Sequence, residues 1–214
     1  MKIFDDLRAA ANPEKAVQMS AYMRDQFAFL GIPTPRRKEL SREFLKAADK
    51  KIIDWQFVFD CWEQNEREFQ YLALDYLTRL KKALTADDIP NIRRLIVSKS
   101  WWDTIDSLDV FIGDIALGDR EVNTVILAWS EDENFWLRRA AIDHQLGRKE
   151  KTDKELLEKI IVNNLGQTEF FINKAIGWSL REYSKTDPGW VRAFIEKHKN
   201  NLAPLSVREG SKYL

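Results

Sequence analysis

The chain has 214 residues, enough to bury one sizeable core or a short stack of repeats, and its 34 basic and 34 acidic side chains cancel formally. With 44% hydrophobic and 32% charged residues it has the composition of a folded globular protein rather than a disordered chain. One cysteine, Cys61, excludes an intramolecular disulfide and a Cys-based zinc site, and His144 and His198 lie too far apart for a local metal motif.

The elements expected along the chain are helical. The N-terminal MKIFDDLRAAANPEKA has no apolar signal-peptide core, and no run of about 18 apolar residues could span a bilayer, so a cytoplasmic protein without membrane contact is expected. Helix starts are read at Asn12-Pro13, Thr34-Pro35 and Asp187-Pro188, where a capping residue precedes proline. Capping-box spacing appears at Thr85 with Asp88, Thr152 with Glu155, and Ser206 with Glu209. The segments between them carry apolar residues at intervals of three and four, and 8 glycines with 6 prolines leave few turns for a sheet. An all-α class and one domain over 1–214 follow.

Three segments superpose without gaps: EFQYLALDYL from Glu68, FWLRRAAIDH from Phe135 and FFINKAIGWS from Phe170. Their central alanines, Ala73, Ala140 and Ala175, are 67 and 35 residues apart, so a fourth copy is expected near residue 107. WDTIDSLDVF from Trp102 falls there, with Ser107 at the small position. Helix pairs of this period describe a HEAT-like helical-repeat solenoid.

The residue before the small position is Leu72, then Asp106, Arg139 and Lys174. Helices that pack side by side lie roughly 8 to 10 Å apart, so these three form a charged ladder on one surface. Trp102 precedes Asp106 by four residues and Trp178 follows Lys174 by four, which puts each indole on its neighbour's face. Of Trp101 and Trp102, one is expected in the core and one beside the ladder, since adjacent helical residues diverge by about 100°. Trp55, Trp62, Trp129, Trp136 and Trp190 read as core, and His144 and Cys61 as ordinary helix residues. On the residues alone, Asp106 and Arg139 fit an inter-repeat salt bridge better than a site. Charge is segregated: Trp136–Leu214 carries 15 basic and 10 acidic residues, a surplus of +5, which makes it the half expected to face phosphates.

The strings SWWDTID (100–106), WLRRAAI (136–142), FFINKAIGWSLREYSKTDP (170–188), AYMRDQFAFLGIPTPRRKEL (21–40) and LAPLSVREG (202–210) resemble the DNA alkylation-repair glycosylases of the AlkD type, over almost the whole chain. The resemblance implies a HEAT-like solenoid of antiparallel helix pairs with a positively charged concave groove. It also implies excision of 3-methyladenine or 7-methylguanine from double-stranded DNA, by a monomer, with no metal or other cofactor. The family's catalytic aspartate falls on Asp106, its essential arginine on Arg139, and its site tryptophans on Trp102 and Trp178. Its DNA-contacting tyrosine falls on Tyr22, and a further arginine on Arg181. Where the family has a basic residue eight positions after the essential arginine, Gly147 stands here with Arg148 and Lys149 adjacent, so these two and Lys174 are the remaining DNA-binding candidates.

The residue types suit that chemistry. A ring-alkylated purine is cationic and already a good leaving group, so the reaction needs a negative charge near the sugar as oxocarbenium character develops. Asp106 can supply it and orient water, indole faces at Trp102 and Trp178 can cradle the cationic nucleotide, and Arg139 and Arg181 can hold flanking phosphates. The family is thought to leave the lesion stacked, which implies tolerance of bulky adducts. A protein-binding scaffold and a non-catalytic binder of damaged or branched DNA are the competing readings.

Overall fold

A computed structural model describes residues 1–49 and 51–214. The chain is all-α, as expected of a helical-repeat protein, and its contacts divide it into two compact units, Met1–Leu84 and Thr85–Leu214. The only β pairing among the described residues is an isolated bridge between Ala28 and Glu66. No helix among them is long and apolar enough to cross a membrane.

The first unit holds α1 (Lys2–Ala9), α2 (Pro13–Tyr22), α3 (Thr34–Ala47), α4 (Trp55–Glu63) and α5 (Arg67–Leu80). Helix α2 starts as the sequence predicts, with the Asn12 side chain accepting the Lys15 amide at 3.0 Å. Thr34 is instead the first residue of α3, and Pro33 takes the cap position without a side-chain bond. Helix α5 packs on α3 and α4 and buries Phe69, Leu72, Ala73 and Leu77 completely. Its fully buried Glu68 accepts the amides of Leu30, Gly31 and Ile32 at 2.9, 2.8 and 3.0 Å, so this carboxylate fixes the path of the loop before α3.

The second unit holds α6 (Ile89–Ile96), α7 (Trp102–Gly118), α8 (Val122–Trp129), α9 (Phe135–Asp143), α10 (Lys154–Val162), α11 (Phe170–Ser184), α12 (Pro188–His198) and α13 (Pro204–Gly210). The superposed repeat segments lie on α5, α7, α9 and α11, and α9 packs between α7 and α11. Leu137, Ala140, Ala141 and Ile142 make α9 the centre of this core, each wholly buried. Helix α7 approaches the end of α9 so closely that a Cβ on Gly113 would lie 2.2 Å from the His144 carbonyl oxygen, which only glycine permits.

Two of the three capping boxes are differently built. Thr85 and Asp88 form theirs, around a single 3-10 turn. Asp153, not Thr152, caps α10 by accepting the Leu156 amide. Ser206 lies inside α13, where Pro204 has already set the start, and its hydroxyl donates to the Asn173 carbonyl at 2.7 Å. The hydroxyl serves a tertiary bond between α13 and α11 in preference to a local cap.

Trp62, Trp129 and Trp136 are core, while Trp55 and Trp190 are half-buried. His144 is buried, and its Nδ1 meets the Ala141 carbonyl at 2.6 Å. A carbonyl only accepts, so Nδ1 carries the proton.

Candidate active site

Helices α7 and α9 bring Asp106 and Arg139 together, although 33 residues separate them in sequence. Arg139 Nη2 and Nε donate to Asp106 Oδ1 at 2.7 and 3.1 Å, and Nη1 donates to the Phe171 carbonyl on α11 at 2.8 Å. From α9 the guanidinium thus ties α7 to α11 in the second unit. Its side chain is only 3% exposed, whereas that of Asp106 is 22% exposed. The arginine is submerged and the aspartate faces outward, with the Arg139 donors directed to Asp106 and the Phe171 carbonyl. Both hydrogen bonds fall on Oδ1, and Oδ2 makes none among the described residues.

Behind the pair lie two carboxylates that the sequence reading passed over, Asp109 on α7 and Asp143 on α9, both buried. Oxygens of Asp106, Asp109 and Asp143 lie within 4.8 Å of one another, and Asp143 Oδ2 is 3.5 Å from Arg139 Nη2. These three carboxylates are the described group with a metal-like donor set, and the Arg139 guanidinium already supplies a cation within it. Burial pushes the Asp106 carboxyl above its ordinary value, with the Arg139 charge pulling the other way. Burial disfavours the Arg139 cation, but Asp143 and Asp106 outweigh it and hold its pKa above the usual one.

An aromatic cluster supports the start of these helices. Trp101 meets Trp136 at 5.9 Å and Phe171 edge-on at 5.2 Å, and Trp136 meets Phe171 at 4.9 Å between ring centroids. Of the Trp101-Trp102 pair neither is fully buried: Trp101 joins this cluster, and Trp102 is half-buried on the first turn of α7, one turn before Asp106. Trp178 is half-buried on α11.

The charged ladder ends after its second rung. Lys174 Nζ pairs with Glu209 Oε1 at 3.0 Å, and Arg181 Nη1 with Glu209 Oε2 at 2.8 Å, so one carboxylate of α13 clamps both cations of α11. The two helices meet at Gly177, where a Cβ would lie 2.7 Å from Glu209 Cβ and 3.2 Å from Ser206 Cα. Glu209 is held below its ordinary value, chiefly by the Lys174 hydrogen bond.

The model of the family described as DNA alkylation repair enzyme matches residues 3–214. The chain belongs to the DNA alkylation repair enzyme family. No curated protein matches. Among solved structures, a predicted DNA alkylation repair enzyme from Enterococcus faecalis is 40% identical, covering 95% of this chain and 96% of that one, with a TM-score of 0.88.

For this member of the DNA alkylation repair enzymes, a role in the repair of alkylated DNA follows from the family. The residues singled out in the sequence are distributed unevenly. Asp106, Arg139, Trp102, Trp178, Lys174 and Arg181 lie on α7, α9 and α11 of the second unit. Arg148 spends Nη2 on the Gly113 carbonyl, at 2.6 Å, and Nη1 on Gln145 Oε1, and so anchors the turn after α9. Lys149 beside it is exposed, with φ +54°. Tyr22, 71% exposed, ends α2 of the first unit. The sequence does carry a signal for Asp109 and Asp143, which stand three and four residues after Asp106 and Arg139 on the same helix faces, whereas the spacing of Glu209 from Ser206 points to a cap.

Proposed function

We propose that this protein is a monofunctional DNA glycosylase that hydrolyses the N-glycosidic bond of cationic alkylated purines, 3-methyladenine and 7-methylguanine, in double-stranded DNA. The observation that carries the reading is the Asp106 carboxylate, fixed through Oδ1 by a buried arginine while Oδ2 makes no hydrogen bond among the described residues. Such a group adds negative charge beside a developing oxocarbenium without reorganising. Oδ2 orients a water towards C1′; the C–N bond breaks, the cationic base leaves neutral, the water oxygen bonds to C1′, and its proton passes to solvent or to Asp106. No general acid is required, because the alkyl group has already made the base a good leaving group.

Trp102 and Trp178 offer indole faces to the cationic nucleotide, an attraction worth roughly 0.5–2 kcal/mol each. Arg181 and Lys174 contact phosphates flanking the lesion once the Glu209 clamp opens, Lys149 and Arg148 extend the contact along the duplex, and Tyr22 is a DNA-contact candidate of the first unit. The protein acts as a cytoplasmic monomer without a cofactor.

The test is release of free 7-methylguanine from a methylated duplex under single-turnover conditions, comparing wild type with Asp106→Asn. Release that collapses in the variant while duplex binding persists supports the glycosylase. A folded, DNA-binding wild type that releases nothing replaces it with a non-catalytic binder of damaged DNA.

A further inference from the structure

Two carboxylates in the second unit have no assigned task. Asp109 and Asp143 are each 1% exposed, and Asp109 Oδ2 and both Asp143 oxygens lack any hydrogen-bond partner. Together with Asp106 they place three carboxylates around the single guanidinium of Arg139, whose donors go to Asp106 and to the Phe171 carbonyl. What remains to Asp143 is a 3.5 Å ion pair with Arg139 Nη2.

Leaving two ionised carboxylates side by side, buried and with three of their four oxygens without a hydrogen bond, costs several kcal/mol per ion, more than a share of one guanidinium already bonded elsewhere returns. A single proton removes most of that cost, because like charges that cannot both be solvated cannot both ionise. We propose that Asp109 and Asp143 hold one proton between them at neutral pH and act as positioning residues for the proposed glycosylase reaction, keeping the Arg139 guanidinium committed to Asp106.

The charged groups acting on this pair are few. Asp106 and Arg139 face both carboxyls, and the Val110 backbone amide aids ionised Asp109. Helices α6, α8, α10 and α11 also pack on α9 and bring no charged side chain to bear on Asp143 among the described residues; α11 contributes the Phe171 carbonyl, which takes one Arg139 donor. Burial raises Asp109 well above the carboxylate range, with Asp143 and Asp106 adding to it, and raises Asp143 to about 7 against the pull of Arg139. The two protons belong to the coupled pair rather than to either residue. When the shared proton leaves on the alkaline side, ionised Asp143 draws Nη2 away from Asp106 Oδ1, and the orientation of Asp106 is lost with it.

The proton is read directly, independently of catalysis, by the infrared C=O stretch of a protonated carboxyl in the full-length protein at neutral pH. Wild type is expected to show this band, Asp106→Asn to keep it, and the folded Asp109→Asn/Asp143→Asn double variant to lose it. A wild type without the band, a band that survives in the double variant, or thermal stability that depends on added Mn²⁺ overturns the proposal; the last would put a metal where the proton is assigned. The positioning role rests on the glycosylase reading and is tested by the pH dependence of single-turnover excision. Wild-type rate is expected to fall on the alkaline side, as the pair loses its shared proton, and Asp143→Asn, which cannot ionise, to lose that alkaline limb while the acidic limb of Asp106 stays. An alkaline limb unchanged in Asp143→Asn overturns the positioning role. If wild type excises nothing, the glycosylase reading fails and the infrared result still decides the proton.

Discussion

Arg139 grips Asp106 by one oxygen: Nε and Nη2 both reach Oδ1, at 3.1 and 2.7 Å. Asparagine at 106 keeps the shape and an acceptor for Arg139 but removes the charge. Excision by Asp106→Asn is therefore expected to fall by about 10²–10³, the usual effect of deleting one transition-state electrostatic contact, with duplex affinity little changed. Single-turnover release and a binding titration on the same duplex separate the two.

Removing the arginine is a different experiment. Arg139→Met leaves Asp106, Asp109 and Asp143 without their shared cation, and breaking a buried pair from one side costs about 3–5 kcal/mol. Denaturant unfolding at neutral pH is expected to show that loss. Acid should recover part of it: burial raises the folded-state values of Asp109 and Asp143, and losing Arg139 raises them further, so their protonated forms favour the folded state and stability lost between mildly acid and alkaline pH returns as pH falls. A variant equally unstable at both ends of that range contradicts the burial argument.

His144 works in the opposite sense. Burial, aided by the Arg148 charge, lowers its value to about 3, so the ring is neutral in the fold and charges only on unfolding. The stability this confers is present above the unfolded value of about 6.5 and is lost as pH falls towards 3. On the order of 2–3 kcal/mol should disappear between about pH 6.5 and pH 4.5. His144→Asn keeps a donor near the Nδ1 position and cannot titrate there, so its denaturation free energy is expected to depend less steeply on pH than wild type over that interval.

At Gly177 two effects oppose each other. Alanine gains about 1 kcal/mol of helix propensity in α11. Its methyl, however, would stand 2.7 Å from Glu209 Cβ and 3.2 Å from the Ser206 backbone, and overpacking of this kind costs about 1–3 kcal/mol. Gly177→Ala is expected to be less stable than wild type on balance, with α13 displaced, as a thermal melt and amide exchange in 204–210 would reveal.

Glu209 neutralises two cations proposed to meet phosphate. Glu209→Gln should bind undamaged duplex more tightly and with a steeper dependence of log K on log salt, by about one phosphate contact. Equal slopes for variant and wild type would remove Lys174 and Arg181 from the DNA surface.

The sequence by itself determined the helices, their repeat and the first pair of the site. Spacing of apolar residues, prolines at helix starts and one small residue per repeat are local properties, and the register they define puts Asp106 next to Arg139. Tertiary structure decided what each charge does. Depth of burial, and not register, separates the outward-facing Asp106 from the submerged Arg139. Lys174 has the ladder's spacing but turns to Glu209 because Gly177 lets α13 close on α11. Ser206 has a capping-box position but bonds across to Asn173. In each case a side chain chose a partner remote in sequence: charge attraction turned the half-exposed Lys174 to Glu209, and for the wholly buried Ser206 the cost of an unpaired polar group made the choice.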